Sequence, residues 1–299
     1  MRRRFMLTVA LWLGAVGLAQ AQPPGVVARP LDMPETGVSF IDSALPMSQI
    51  RVRWDEARGM NRPNRDDFFW PERGPGNRPF ADLNVNYGEL NSYVEWAPTE
   101  CFSVFFEAPV RFVDPTINAY DAGFGDFNAG GKFAFCQNEC SVVSGQFRVY
   151  IPMGVGERGL GNDHVTLEPA LLWNQTICSW LRAESELRYW LPINGSANRG
   201  DILRYGAGLV FGCQDPDGFW ITPVAEFVGW MPLSGRETYL TDTGLVVDEK
   251  ARGHNIINGY FGARFGICDR IDAYAGYGLS LSSDRWYEEV WRLELRLKF

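Results

Sequence analysis

The sequence predicts an all-β protein, an antiparallel up-and-down transmembrane β-barrel of about 12 strands preceded by a cleaved signal peptide. Three observations carry this expectation. At the chain end Trp291, Leu293, Leu295, Leu297 and Phe299 share one parity, and Arg292, Glu294, Arg296 and Lys298 share the other. That period of two shows the two faces of a strand to different solvents. The amino terminus has the make-up of an export signal. Between the ends, long and short connections alternate, as in barrels with short periplasmic turns and longer external loops.

Residues 1–21 read as the signal peptide: a basic start at Arg2, Arg3 and Arg4, an apolar run from Phe5 to Leu18, and the small-residue site Ala19-Gln20-Ala21. The run is too short for a spanning helix, which needs about 20 apolar residues. Cleavage removes three arginines and leaves 25 Lys+Arg against 36 Asp+Glu, a net charge of −11. Such a chain lacks the basic surface that nucleic acid requires. The mean hydropathy of −0.17 does not exclude a membrane, because half of each barrel strand is polar. Residues 22–47 hold Pro23, Pro24, Pro30, Pro34 and Pro46 without periodicity, and read either as a periplasmic tail or as a plug folded into the lumen.

Residues 48–299 read as the barrel. Its first strand, Ser48 to Glu56, sets Ile50, Val52 and Trp54 against Arg51, Arg53 and Asp55. The second sets Leu90, Val94 and Trp96 against Glu89, Asn91, Tyr93 and Glu95; the third sets Val104 and Phe106 against Ser103, Phe105 and Glu107. After a long connection ending at Gly123, the fourth alternates Phe127, Phe133 and Phe135 with Asp126, Asn128 and Lys132. In the fifth, Phe147, Val149 and Ile151 oppose Gln146, Arg148 and Tyr150; in the sixth, Leu167, Leu171 and Trp173 oppose Thr166, Glu168 and Asn174. The seventh places Leu181, Leu187 and Leu191 opposite Arg182, Glu184, Glu186 and Arg188, and the eighth turns Arg204 inward. The ninth, near Trp220 to Trp230, carries aromatics on both parities, so its register is open, with Glu226 assigned inward. The tenth sets Ile257, Phe261, Phe265 and Ile267 against Asn258, Tyr260 and Arg264; the eleventh sets Ile271, Ala273 and Tyr277 against Asp272 and Tyr274. The inward charges of mixed sign can pair across a narrow interior or polarise a pore.

Cys101, Cys136, Cys140, Cys178, Cys213 and Cys268 all fall at short periplasmic turns, where an oxidising compartment favours disulfides between neighbours. Cys101 with Cys136, Cys140 with Cys178, and Cys213 with Cys268 are the candidate pairs. A metal site is disfavoured because no histidine lies in these turns. Gly154 to Gly159 spells G-x-G-x-x-G but lacks the following helix that a dinucleotide site needs, and reads as a loop. His164 and His254 are followed two residues on by Thr166 and Ile256, not by a serine nucleophile. No catalytic residue, cofactor or metal is expected.

An amphipathic last strand ending in Phe299 resembles the signal that bacterial outer-membrane proteins present to the barrel assembly machinery. Phe102 to Phe112 (FSVFFEAPVRF), Gly123 to Phe135 (GFGDFNAGGKFAF) and the YVEWAP stretch resemble the outer-membrane family labelled for the MetA pathway of phenol degradation. The resemblance covers the first third of the barrel, and Trp96-Ala97-Pro98 departs from it. It implies a barrel that moves small, often aromatic compounds across the outer membrane. The expected partners are therefore outer-membrane lipid, the assembly machinery and a small-molecule solute. Two other readings stand beside a passive channel. One is a structural or adhesion barrel presenting the loops Ala57 to Pro79 and Met231 to Gly253; the other is a soluble exported β-protein.

Overall fold

A computed structural model describes residues 36–60, 85–116, 119–193, 199–212, 218–240, 246–268, 270–283 and 285–299. Residues 1–21, expected to be a signal peptide, and residues 22–35 lie outside them. The described residues form fifteen strands: β1 (Gln49–Met60), β2 (Val85–Thr99), β3 (Phe102–Pro115), β4 (Asp121–Phe124), β5 (Phe127–Gln137), β6 (Ser141–Ile151), β7 (Val165–Cys178), β8 (Leu181–Ile193), β9 (Ile202–Phe211), β10 (Trp220–Pro232), β11 (Arg236–Leu240), β12 (Val246–Lys250), β13 (Ile256–Cys268), β14 (Ile271–Ser280) and β15 (Glu289–Lys298). Each barrel strand pairs antiparallel with its sequence neighbours. The terminal strands close the ring through a register running from Gln49↔Lys298 to Arg58↔Glu289. Closure leaves no sheet edge to expose backbone groups, the condition for crossing a bilayer with strands.

Two strands pair with β3 in succession. β4 takes Val110 to Val113, and β5 takes Phe102 to Glu107. The register slips by one residue between them, at Gly125 and Asp126, and Gly125 N donates to Pro109 O at 2.9 Å. β4 and β5 are thus one barrel strand broken by a bulge, and the barrel has twelve strands. The sequence reading ended a long connection at Gly123; the strand instead starts at Asp121, and the connection shrinks to residues 116–120. A second correction concerns Met231 to Gly253, read as a loop. It carries the separate β11–β12 hairpin.

The faces are inverted relative to a soluble protein. On β15, Leu293 is 59% exposed and Glu294 4%. Phe106, Phe133, Phe147, Leu171, Leu187 and Phe261 also face outward, while the carboxylates and guanidiniums between them are buried. In β10 the inward parity is that of Trp220, Thr222, Val224, Glu226, Val228 and Trp230, with Ile221 and Phe227 outside. An apolar exterior around a closed ring is a lipid-facing surface. It excludes the soluble exported reading, and the protein is an outer-membrane barrel.

Residues 36–47 run inside this ring. Thr36, Val38, Ile41, Ala44 and Leu45 are all buried, yet the segment belongs to no barrel strand before Gln49. Both of its ends lie near the short-turn rim: the Thr36 carbonyl accepts from Arg296 (3.2 Å), and Met47 N donates to Glu95 (3.4 Å). Between them the chain climbs to Phe40 and Asp42, at mid-height beside Arg292, Arg148 and Arg188. It is a U-shaped loop held in the periplasmic half of the barrel.

Candidate functional site

The interior is built by the inward parity of every strand, and the segment 36–47 is its centrepiece. Backbone N–H groups of Ser39, Phe40 and Ile41 donate to the Glu226 carboxylate at 3.0, 2.9 and 3.2 Å. Glu184 accepts from the Thr36 hydroxyl (2.6 Å) and Gly37 N (2.8 Å). Arg264 donates to the carbonyls of Gly37 (2.9 Å) and Val38 (2.8 Å), and Arg204 to that of Phe40 (2.6 Å). Lacking strand partners, the segment's backbone groups are satisfied by strand side chains instead. The Phe40 ring stacks on Tyr260 with centroids 3.6 Å apart, and the Arg292 guanidinium lies 3.7 Å from its centroid.

Asp42 is the ionic anchor of the loop. Its Oδ2 lies 2.6 Å from Arg148 and 2.7 Å from Arg188, and Gln146 donates to it at 3.2 Å. The two arginines have further partners. Arg148 is 3.5 Å from Glu107 and 3.6 Å from Glu168, while Arg188 meets Glu168 and, at 2.8 Å, Glu186. Glu186 also meets Arg204 at 3.0 Å.

The remaining inward charges are distributed in the same way. Lys132 donates to Glu95 at 3.0 Å. Arg51 lies 3.8 Å from Glu294, and Arg53 lies 3.2 Å from Asp55 and 3.6 Å from Glu107. Arg264 bridges Asp272 (2.6 Å) and Glu294 (2.8 Å); Arg296 (2.8 Å) and Lys298 (3.5 Å) gather on the same Asp272. Arg292 grips Asp55 with two bonds of 2.7 Å. Arg182 is buried on β8 at the periplasmic end. Burying so many ions is costly unless each is paired and hydrogen-bonded, and this interior supplies those partners.

On the external side, Asp126 points from the bulge into the loop between β6 and β7. Its carboxylate accepts from Gly154 N at 3.0 Å and Asn162 N at 2.7 Å, and a Cβ at Gly161 would collide with it. Arg111 donates to the Leu160 carbonyl at 3.1 Å, and Leu160 is buried. This loop is therefore drawn into the mouth. So is the loop before β15: Trp286 packs on Trp230 with centroids 4.6 Å apart, and the hydroxyls of Tyr287 and Tyr260 are 2.6 Å apart. Between these loops and the Phe40 apex lies a cavity of about 190 Å³.

Alternation in the sequence places Asp55, Glu89 and Asp272 on the inward parity, and all three are buried. Three further lining groups carry no sequence signal. Asp42, Trp286 and Tyr287 lie outside the strands, where periodicity carries no information.

The disulfide expectation is corrected. Cys101, Cys136, Cys140, Cys178 and Cys268 are all free; Cys213 lies outside the described residues. The cause is register. Ala134 N donates to Cys101 O, so Cys101 faces Ala134 and Cys136 lies two residues further along. Thr176 N donates to Cys140 O, and Cys178 is likewise two residues beyond. Diagonal neighbours stand roughly 7–8 Å apart, whereas a disulfide needs Cβ atoms at about 4 Å. At the chain end Phe299 is half exposed, and its N–H donates to Ser48 O at 3.1 Å.

No family model and no curated protein matches the sequence. Solved structures do share the fold. The COG4313 outer membrane channel from Pseudomonas putida F1 is 12% identical with a TM-score of 0.58, covering 92% of this chain and 100% of its own. The NanC porin is 11% identical with a TM-score of 0.53, covering 84% of this chain and 100% of its own. Both likenesses concern architecture.

Proposed function

We propose that this barrel is a passive outer-membrane channel for small solutes, shut in this structure by residues 36–47. The observation that carries the reading is how the segment is held: by side chains, with no strand pairing of its own. A chain so held can leave without breaking the barrel's ladder. Twelve strands lie between the eight that close on side chains and the sixteen that leave an aqueous bore, so a loop of this size is enough to occlude the lumen. The neighbouring folds, one a porin and one an outer membrane channel, agree with this use. The inward charges from Arg51 to Lys298 then line the path, and Phe299 serves recognition by the assembly machinery.

Planar-bilayer recording tests the proposal. Protein whose folding is verified by heat-modifiable gel migration should give small or rare steps, and a variant lacking residues 22–47 larger and more frequent ones. If neither rises above the lipid background, the channel reading fails. The β11–β12 hairpin favours a second reading, an external presenting scaffold. That reading predicts loss of binding to a surface partner on deletion of residues 236–250, with no conductance in either form.

A further inference from the structure

The cavity between Phe40 and the inward loops has a size, a charge balance and a chemistry of its own. We propose that it is a binding site for one neutral, polyhydroxylated ring, a monosaccharide or cyclic polyol. This rests on the channel reading and narrows its solute class.

Size comes first. A volume of about 190 Å³ slightly exceeds the 150 Å³ that accepts benzene. It takes a single substituted ring, not an oligosaccharide or an acyl chain.

Charge comes second. The lining arginines already face carboxylates: Arg148 meets Asp42, and Arg292 meets Asp55. A charged solute would have to break a buried pair to find a counter-ion, so the site favours a neutral one.

Chemistry comes third. Trp190, Trp230 and Trp286, from β8, β10 and the last loop, give the cavity flat apolar surface. Asn128 on β5 and Arg204 on β9 also border it, and Asn128 Oδ1 and Arg204 Nε have no hydrogen-bond partner among the described residues. One is an acceptor and the other a donor. Both atoms are buried without a partner, so a hydrocarbon ring leaves them unmatched and forgoes roughly tenfold in affinity for each. A polyol lays the C–H face of its ring on an indole and turns hydroxyls around its rim to donate to Asn128 and accept from Arg204. Phenol has one hydroxyl for the two groups. The chamber therefore departs from the aromatic solutes implied by the sequence resemblance.

Isothermal titration calorimetry on folded, full-length protein in detergent tests the site without requiring conduction. The probes are D-glucose, myo-inositol, phenol, toluene and glucuronate. Saturable heats for glucose or inositol, about tenfold tighter than for phenol, toluene or glucuronate, are expected. Asn128→Leu should weaken the polyol about five- to tenfold, with folding checked by gel migration; the wild-type probe series stands if that variant does not fold. Phenol or toluene binding as tightly as the polyols overturns the class, and no saturation by any probe overturns the site. Saturable polyol binding in a barrel that never conducts upholds the site and removes only the channel.

Discussion

Replacing Asp42 by Asn is the most informative single perturbation of the interior. The side chain keeps its shape but loses its charge, so Gln146 can still reach it while the contacts to Arg148 (2.6 Å) and Arg188 (2.7 Å) cease to be ionic. A hydrogen bond to a charged partner contributes about 1.5–3 kcal/mol and a neutral one about 0.5–1.5 kcal/mol. Two such replacements cost the bound segment about 2 kcal/mol. The barrel wall should be spared, because Arg148 keeps Glu107 and Glu168, and Arg188 keeps Glu168 and Glu186. If the segment's seating governs opening, 2 kcal/mol raises the ratio of open to closed about 30-fold. Single-channel recording reads this directly as open time, with gel migration confirming the fold. An unchanged open fraction in folded Asp42→Asn protein would refute the reasoning, since the anchor would then hold nothing that moves.

Other outcomes test separate parts of the structure. Phe40→Ala removes a ring wedged between Tyr260 and Arg292 and should loosen the segment by about 3 kcal/mol, read as faster proteolysis near residue 40 in folded protein. Leu293→Arg puts a charge on the lipid face of β15 and should cost about 2–4 kcal/mol in refolding into liposomes if the site lies near the bilayer midplane; no loss would mean that Leu293 does not meet lipid. Maleimide without reductant should label Cys101, Cys136 and Cys140 in the folded barrel, as all three are exposed and free. Protection of any of these, reversed by reductant, would contradict the register that separates them.

The wall was legible because one physical rule writes it. Lipid outside and a polar interior force period two on each strand, so the faces of Leu293 and Glu294 could be read without coordinates. β10 was ambiguous for the same reason: Trp220, Trp230 and Phe227 make both parities look apolar, and only pairing with β9 and β13 fixes the register. The bulge at Asp126 escaped because one extra residue leaves local alternation intact on either side. The cysteines misled because sequence shows which turns they share but not the two-residue offset across each ladder. Asp42 was invisible, since its role depends on Arg148 and Arg188, more than a hundred residues away.

The interior also explains why a segment without secondary structure can be placed so specifically. Apolar packing alone is non-directional and would let an irregular chain slide. Here each turn of the loop meets a group of fixed polarity: the Glu226 carboxylate can only accept, and the guanidiniums of Arg264, Arg204 and Arg292 can only donate. A shift of one residue would bring donors against donors and leave buried ions unmatched, at about 1–3 kcal/mol for each group. In the proposed channel, water would replace the same contacts when the loop withdraws. A segment held by side chains is specific in register, and it can leave without breaking a strand ladder.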